Sequence, residues 1–402
     1  MPVSQPDTTG QLPGPETAEG PAGIYVHIPF CRSKCPYCSF VSFQNVDVRV
    51  KKAYMAALSR QAREMAAHPW ARARTFHSLY IGGGTPPNVD IPGLAVFIET
   101  CLGAFNFTAR SVKNPEVTLE ANPNTVNPEM LQRLRRAGIN RLSLGVQSFS
   151  DDMLQTIGRN HSAQDGIKAA ESGREAGFAN ISLDLMYGLP GQDIATWQNS
   201  LDRAAALEPE HLSIYELTVE QGTPFAEMKR QGKLALPDEE MLLSMFERAQ
   251  VFLSAQGYEQ YEISNYARKG FQCIHNVNYW ENGSYIGLGS GAVSCFSGVR
   301  IKNEEDPARF IDTMDQGIQP FREAEMLPLS ARFRETVVMG LRMISGVSIA
   351  GLQERFGITP AKYYGTILLS LIRDGLLEEV HNRLRLTKRG LLLANRVMAA
   401  LV

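Results

Sequence analysis

The stretch Ile24-Tyr25-Val26-His27-Ile28-Pro29-Phe30-Cys31-Arg32-Ser33-Lys34-Cys35-Pro36-Tyr37-Cys38 decides how the chain is read. Ile24 to Ile28 is rich in β-branched and aromatic residues and predicts a strand. It runs directly into a C-x3-C-x2-C spacing on one tight loop. Three thiolates so placed can bind three irons of a four-iron cluster, leaving the fourth iron open to a substrate or cofactor. A single zinc ion in a closed structural site wants four ligands and would recruit a distant residue such as Cys273 or His275. Three unrelated thiols are the remaining reading.

Working outward, short β-branched runs recur at Ser78 to Ile81, Val117 to Ala121, Arg141 to Val146, Ile181 to Met186 and Leu212 to Leu217. Helical spacing lies between them, as in Pro128 to Ala137 before Gly138 and Asp165 to Ala176 before Gly177, where the glycines suit helix C-caps. Six strands alternating with helices predict an α/β fold with a parallel sheet, either doubly wound or curled into a full or partial barrel. Cys31, Gly82 to Thr85, Glu120, Gln147, Asp184 and Glu216 fall at strand ends, the rim where parallel α/β folds bind ligands. Taken singly, each is an ordinary loop, cap or ion-pair residue.

Before the first strand, residues 1 to 23 hold five Pro and four Gly and predict a disordered tail. They carry no Lys or Arg, so neither a signal nor a transit peptide is expected. Beyond about Pro224 the pattern changes. Asp238 to Gln256 predicts a helix, and Tyr258 to Val299 is rich in Tyr and Gly with short alternating runs. From Ser330 three helices, a β-hairpin over Leu376 to Leu386 and a helix from Lys388 predict a winged-helix-like module. That module carries eleven Lys or Arg against five Asp or Glu. Such modules are often packing caps, and the whole chain, with 40 basic and 42 acidic residues, has no nucleic-acid signature, so no nucleic-acid partner is expected.

The 402 residues, 44% of them hydrophobic, support a large core and exclude wholesale disorder. Six cysteines are too few for a disulfide framework, and their clustering points to a reducing compartment. With no apolar run long enough for a membrane span, a soluble cytoplasmic protein is expected. Cys101, Cys273 and Cys295 are dispersed and read as buried structural thiols.

The cysteine spacing, with an aromatic before the last Cys and a β/α series behind it, resembles the radical S-adenosylmethionine superfamily. The likeness is to its HemN/HemW branch, carried by Tyr25-Val26-His27-Ile28-Pro29-Phe30-Cys31, Gly82-Gly83-Gly84-Thr85-Pro86, Gly145-Val146-Gln147-Ser148, Asp184-Leu185-Met186-Tyr187-Gly188-Leu189-Pro190 and His275-Asn276-x-x-Tyr279-Trp280. It implies a parallel partial (β/α)6 barrel over 24–230, an α+β extension over 231–325 and a winged-helix-like domain over 326–402. It also implies a 4Fe-4S cluster on Cys31, Cys35 and Cys38, with S-adenosyl-L-methionine chelated at the open iron.

By the same resemblance, Gly83, Gly84 and Thr85 would donate to the methionyl carboxylate, glycine allowing close backbone approach. Glu120 would accept from the methionyl ammonium, and Asp184 would bind ribose hydroxyls. Gln147 and Arg159 would bond the sugar or carboxylate, and Tyr25 and Tyr37 would pack near cluster and adenine. No phosphate-loop Lys follows the glycines, which argues against a nucleoside triphosphate.

The segment from His275 to Trp280 sets a His beside an aromatic pair, which suits axial ligation and packing of heme as well as a structural role. This motif places the chain nearer the heme chaperones of the branch than the coproporphyrinogen oxidases. The oxidases resemble C-x3-C-x2-C-x-C, and the fourth Cys would fall where Phe40 stands. The resemblance therefore implies a chaperone that takes heme, through His275, Tyr279 and Trp280, and passes it to acceptor hemoproteins such as respiratory cytochromes. It is compatible with peripheral membrane contact and a homodimer. The alternatives are oxidative decarboxylation of coproporphyrinogen III and a radical methyltransferase or heme-degrading activity.

Overall fold

The computed structural model describes residues 20–107 and 114–402. Residues 1–19 of the expected tail lie outside the described residues, and the first strand opens at Ala22. Six strands run in parallel: β1 (Ala22–Ile28), β2 (Phe76–Gly83), β3 (Glu116–Ala121), β4 (Arg141–Gln147), β5 (Ile181–Tyr187) and β6 (His211–Glu216). Their spatial order is their sequence order. Sheets wound this way carry their crossover helices on one face, so the structure selects the partial barrel over the doubly wound sheet.

The pleat sorts the side chains. Ile24, Val26 and Ile28 of β1, Leu79 and Ile81 of β2, and Leu142, Leu144 and Val146 of β4 are fully buried in the main hydrophobic core. The intervening residues point the other way, into the lumen, and are polar to an unusual degree: Tyr80, Glu120, Arg141, Ser143 and Asp184 all border one cavity there.

The crossover helices start where side-chain caps permit. Asp47, Asn127, Ser162 and Asp193 each accept from a backbone N–H of the first turn. Asp165, read as the start of a helix, is instead its third residue, closing a capping box with Ser162 in the helix Ala163–Glu175. Gly138 and Gly177 follow their helices with φ of 119° and 88°, which only glycine adopts without strain.

The remaining strands extend the same sheet. Tyr285–Leu288 pairs in parallel with β1, and Val293–Phe296, Val299–Asn303 and Phe321–Met326 continue outward antiparallel. Asn265–Ala267 and Glu259–Gln260 add to the β6 edge. The sheet reaches twelve strands among the described residues.

At the C-terminus, Phe333, Val337, Leu352, Leu368, Leu384 and Val397 belong to a separate core. Around it lie four helical segments between Leu329 and Arg373, one more than the three read from sequence, and a hairpin of Leu377–Val380 with Arg383–Leu386. The final helix divides into Lys388–Leu392 and Ala394–Ala399. No helix among the described residues is long and apolar enough to cross a membrane.

Candidate functional site

A cavity of about 360 Å3 runs from the cysteine loop into the lumen. Cys31, Cys35 and Cys38 border it, as do Tyr37, Gly83, Gly84, Thr85, Glu120, Gln147, Arg159 and Asp184. These rim residues, scattered over 154 positions from Cys31 to Asp184, are brought together by the parallel order of β1 to β5.

The loop is fixed at its base. Phe43 N–H donates to the Pro29 carbonyl at 2.7 Å, and His27 Nε2 bonds the Val41 carbonyl at 2.8 Å. The other nitrogen of His27 meets the Tyr25 hydroxyl at 2.9 Å. Tyr25 therefore does not border the cavity; its ring lies against Tyr80, with centroids 6.3 Å apart, behind the rim.

Each glycine of Gly82-Gly83-Gly84 answers a close approach. A side chain at Gly82 would meet the Glu120 carboxylate at 2.7 Å; at Gly84 it would meet Phe30 N and Pro29 C at 2.9 Å. Gly83 has φ of 113°. Their N–H groups are already engaged: Gly83 with Glu120 at 3.2 Å, Gly84 with the Ile28 carbonyl at 2.9 Å, and Thr85 with the Phe30 carbonyl at 3.0 Å. Gly84 and Thr85 thereby hold the segment that carries the cysteine loop, whereas the Gly83 N–H holds Glu120.

Arg159 reaches across the rim. Its Nη2 donates to the Asn122 side chain and the Gly145 carbonyl, both at 2.6 Å, and Nη1 approaches Cys35 Sγ at 3.7 Å. Asn122 Nδ2 donates to Thr85 Oγ1 at 2.9 Å, and Thr85 Oγ1 donates toward Cys31 Sγ at 3.8 Å. A polar chain thus joins two of the three sulfurs. Gln147, at the end of β4, has φ of 67° and sits beside a register shift. A non-glycine residue held there is strained, a feature concentrated at binding sites.

Below the rim, Glu120 accepts from Tyr80 Oη at 2.7 Å and Gly83 N–H. Burial pushes its carboxyl up to about 7, against the pull of the Tyr80 hydroxyl. Asp184, also raised by burial, accepts from Ser143 Oγ at 3.2 Å and Ser182 Oγ at 3.4 Å. Glu216, a strand-end candidate, does not border the cavity; it is exposed and accepts from Tyr187 Oη at 3.3 Å.

The donors fit an iron-sulfur cluster. Each iron of such a cluster takes one thiolate, so the sulfurs need not converge on a point, and hydrogen bonds to the sulfurs, as from Thr85 and Arg159, tune it. No three His, Cys, Asp or Glu among the described residues are placed to hold a single metal ion. The distant ligands a zinc site would need are elsewhere: Cys273 Sγ donates to Glu116 at 3.3 Å, and His275 Nδ1 is bonded to Ser78 Oγ at 2.9 Å.

The heme candidates lie at the lumen floor and beyond it. His275, only 1% exposed, stacks on Tyr80 with centroids 4.9 Å apart, and its Nε2 has no partner. Burial lowers it to about 3. Tyr279 packs on Tyr285, 4.4 Å between centroids, while Trp280 lies under Arg342, whose guanidinium carbon is 4.3 Å from the ring centroid. The three do not face one open surface. The helix Ile274–Trp280 that carries them is fastened by Glu116, which accepts from the N–H groups of Ile274 at 2.9 Å and His275 at 3.2 Å.

Asn122, Tyr80 and Arg141 are site residues that the sequence reading passed over. The signal was present: Asn122 follows Glu120 by two residues, just past the end of β3, and Arg141, Ser143 and Gln147 alternate on β4, sharing a face apart from the local bulge.

A barrel of six parallel strands with a C-x3-C-x2-C loop at its rim defines the radical SAM class, and residues 25–204 match the Radical SAM superfamily while 327–393 match the HemN C-terminal domain. The solved structure of coproporphyrinogen III oxidase (HemN) from Escherichia coli shares this fold, with a TM-score of 0.81 over 95% of this chain and 90% of that one at 23% identity. Among sequences, the chain is 36% identical over 380 residues to the heme chaperone HemW of Bacillus subtilis, covering 94% of this chain and 98% of the relative. It is 40% identical over 274 residues to that of Haemophilus influenzae, 68% of this chain and 70% of the relative. The chain belongs to the HemW family of the radical SAM superfamily.

Proposed function

We propose that the chain is a cytoplasmic heme chaperone that binds heme and hands it to acceptor hemoproteins such as respiratory cytochromes. The observation that carries this is near full-length likeness to HemW chaperones joined to a cysteine loop with Phe40 where the oxidases have a fourth Cys. Phe40 is 67% exposed at the cavity mouth, so the position supplies neither a thiolate nor a buried contact.

Cys31, Cys35 and Cys38 would hold a 4Fe-4S cluster, and S-adenosyl-L-methionine would occupy the cavity beside it. When bound and reduced, the cluster supplies an electron for reductive cleavage of the sulfonium. The chain's own residues orient and enclose. Asp184 accepts from ribose hydroxyls, and Glu120 accepts from the methionyl ammonium in its ionised state. Arg159 and Gln147 bond the carboxylate or sugar, and Tyr37 packs on the adenine side. Gly83, Gly84 and Thr85 would border the methionyl end, Gly84 and Thr85 also holding the loop in register, and Tyr25 supports it through His27.

For heme, His275 Nε2 is the one unpartnered imidazole nitrogen of its motif. Reaching it requires the helix Ile274–Trp280 to withdraw from the lumen floor, with Tyr279 and Trp280 then packing the macrocycle.

The alternative, coproporphyrinogen III dehydrogenase, is separated by anaerobic incubation of the reconstituted, reduced protein with S-adenosyl-L-methionine and coproporphyrinogen III, followed by chromatography of the oxidised porphyrins. The chaperone reading predicts no porphyrin product from a protein with an intact cluster. Multiple-turnover formation of protoporphyrin would overturn it.

A further inference from the structure

One buried side chain that borders the cavity, Arg141, takes no part in holding the cofactor. Arg141 opens β4, and Gln147 closes it at the rim, six residues and therefore about 20 Å further along the strand. Arg141 is 1% exposed, yet it borders the same cavity as the cysteine loop. Its Nε and Nη1 have no hydrogen-bond partner, and it forms no ion pair among the described residues.

Glu116, on the neighbouring strand, does not take up this guanidinium. Its oxygens accept from the Cys273 thiol and from the N–H groups of Ile274 and His275. A second unpartnered polar atom lies next to Arg141: Thr118 Oγ1, on the residue paired with it across β3 and β4. Asn276, from the helix that forms the floor, borders the cavity as well. Glu116, Glu120 and Asp184 act on Arg141 through their charge, but donors left open on a buried guanidinium are costly until acceptors meet them.

We propose that Arg141 and Asn276 form a carboxylate subsite at the lumen floor, which takes the acid end of an organic molecule. The ligand's role is to supply acceptor oxygens to Arg141 Nε and Nη1 rather than to balance its charge, and Asn276 offers a neutral donor. The planar fork of Arg matches a carboxylate. A phosphate dianion would bring a second charge into a lumen that already holds Glu120 and Asp184.

The test is equilibrium dialysis of labelled butyrate against the full-length, cluster-loaded protein with S-adenosyl-L-methionine saturating, so that the rim donors are occupied. One saturable site per chain is expected, weakened at least tenfold by Arg141→Met and less by Arg141→Lys. Should Arg141→Met fail to fold, as judged by circular dichroism, Asn276→Asp decides. A carboxylate added at the floor would engage Arg141 from within and abolish butyrate binding. No saturable binding by the unaltered protein overturns the subsite. So does butyrate binding that persists in folded Arg141→Met, or in Asn276→Asp. Displacement of butyrate by equimolar inorganic phosphate overturns the choice of carboxylate.

Discussion

Arg159 Nη1 stands 3.7 Å from Cys35 Sγ while Nη2 of the same guanidinium holds Asn122 and the Gly145 carbonyl. A cation fixed beside a thiolate ligand stabilises the more reduced, more negative state of a cluster. Arg159→Met is expected to lower the cluster's reduction potential. A loss of about 1 kcal/mol corresponds to about 40 mV for one electron. Potentiometric titration followed by electron paramagnetic resonance measures it, and an unchanged or raised potential contradicts the contact.

Gly84 lies just past the end of β2, against the backbone that leads into the cysteine loop. In Gly84→Ala the new methyl meets backbone atoms of Pro29 and Phe30 at 2.9 Å, which cannot rotate away. A loss of about 1–3 kcal/mol is expected, with reduced iron content after reconstitution. Gly103→Ala is the control, because Gly103 lies in the helix Ile91–Ala104 with nothing within 4 Å of its added methyl. Equal effects of the two substitutions on iron content would remove the steric argument.

Glu120 ties stability to pH. Its folded-state value, raised by burial from 4.5 to about 7, means that the folded chain holds this proton more tightly than the unfolded one. The stabilisation is full below about 4.5 and is lost as pH rises through about 7. Between pH 5 and 8 the unloaded protein should lose about 1–3 kcal/mol through this group. Glu120→Gln should flatten that part of the profile. Denaturant melts of both proteins across this range provide the comparison, and parallel profiles would contradict the assignment.

Much of this rim was legible in sequence because a strand fixes alternation and a parallel sheet fixes which ends gather. Glu120, Gln147 and Asp184 gather at one cavity on that basis, but Asp184 is mid-strand in β5 rather than at a strand end, and Glu216, expected at the same rim, does not border the cavity. What was not legible depends on contacts between distant segments. Nothing near Tyr25 announces that His27 takes its hydroxyl, and nothing near Gly84 announces that Ile28 takes its N–H. Arg141 alternates in phase with Ser143, but the same pattern serves a solvent face. Only the winding of six strands in order makes that face a lumen. In sequence, the segment carrying His275 suits heme ligation or a structural role, and what fastens it at the lumen floor is Glu116, more than 150 residues earlier in the chain.

His275→Ala should weaken heme binding at least tenfold and leave the cluster spectrum unchanged, since His275 is bonded to Ser78 at the floor and not to the cysteine loop. Absorbance titration with heme under anaerobic conditions gives the affinity. An unaltered heme titration in a folded variant moves the axial ligand to another residue.

Delivery of heme is read by its transfer to an acceptor. The full-length protein, loaded with one equivalent of heme and freed of excess, is mixed with an apo-cytochrome, and the two are separated and scanned for heme absorbance over time. The account predicts that heme moves to the acceptor and that transfer depends on an intact cysteine loop. Heme that stays on the chain, or that reaches the acceptor no differently from the Cys35→Ala variant, would contradict it.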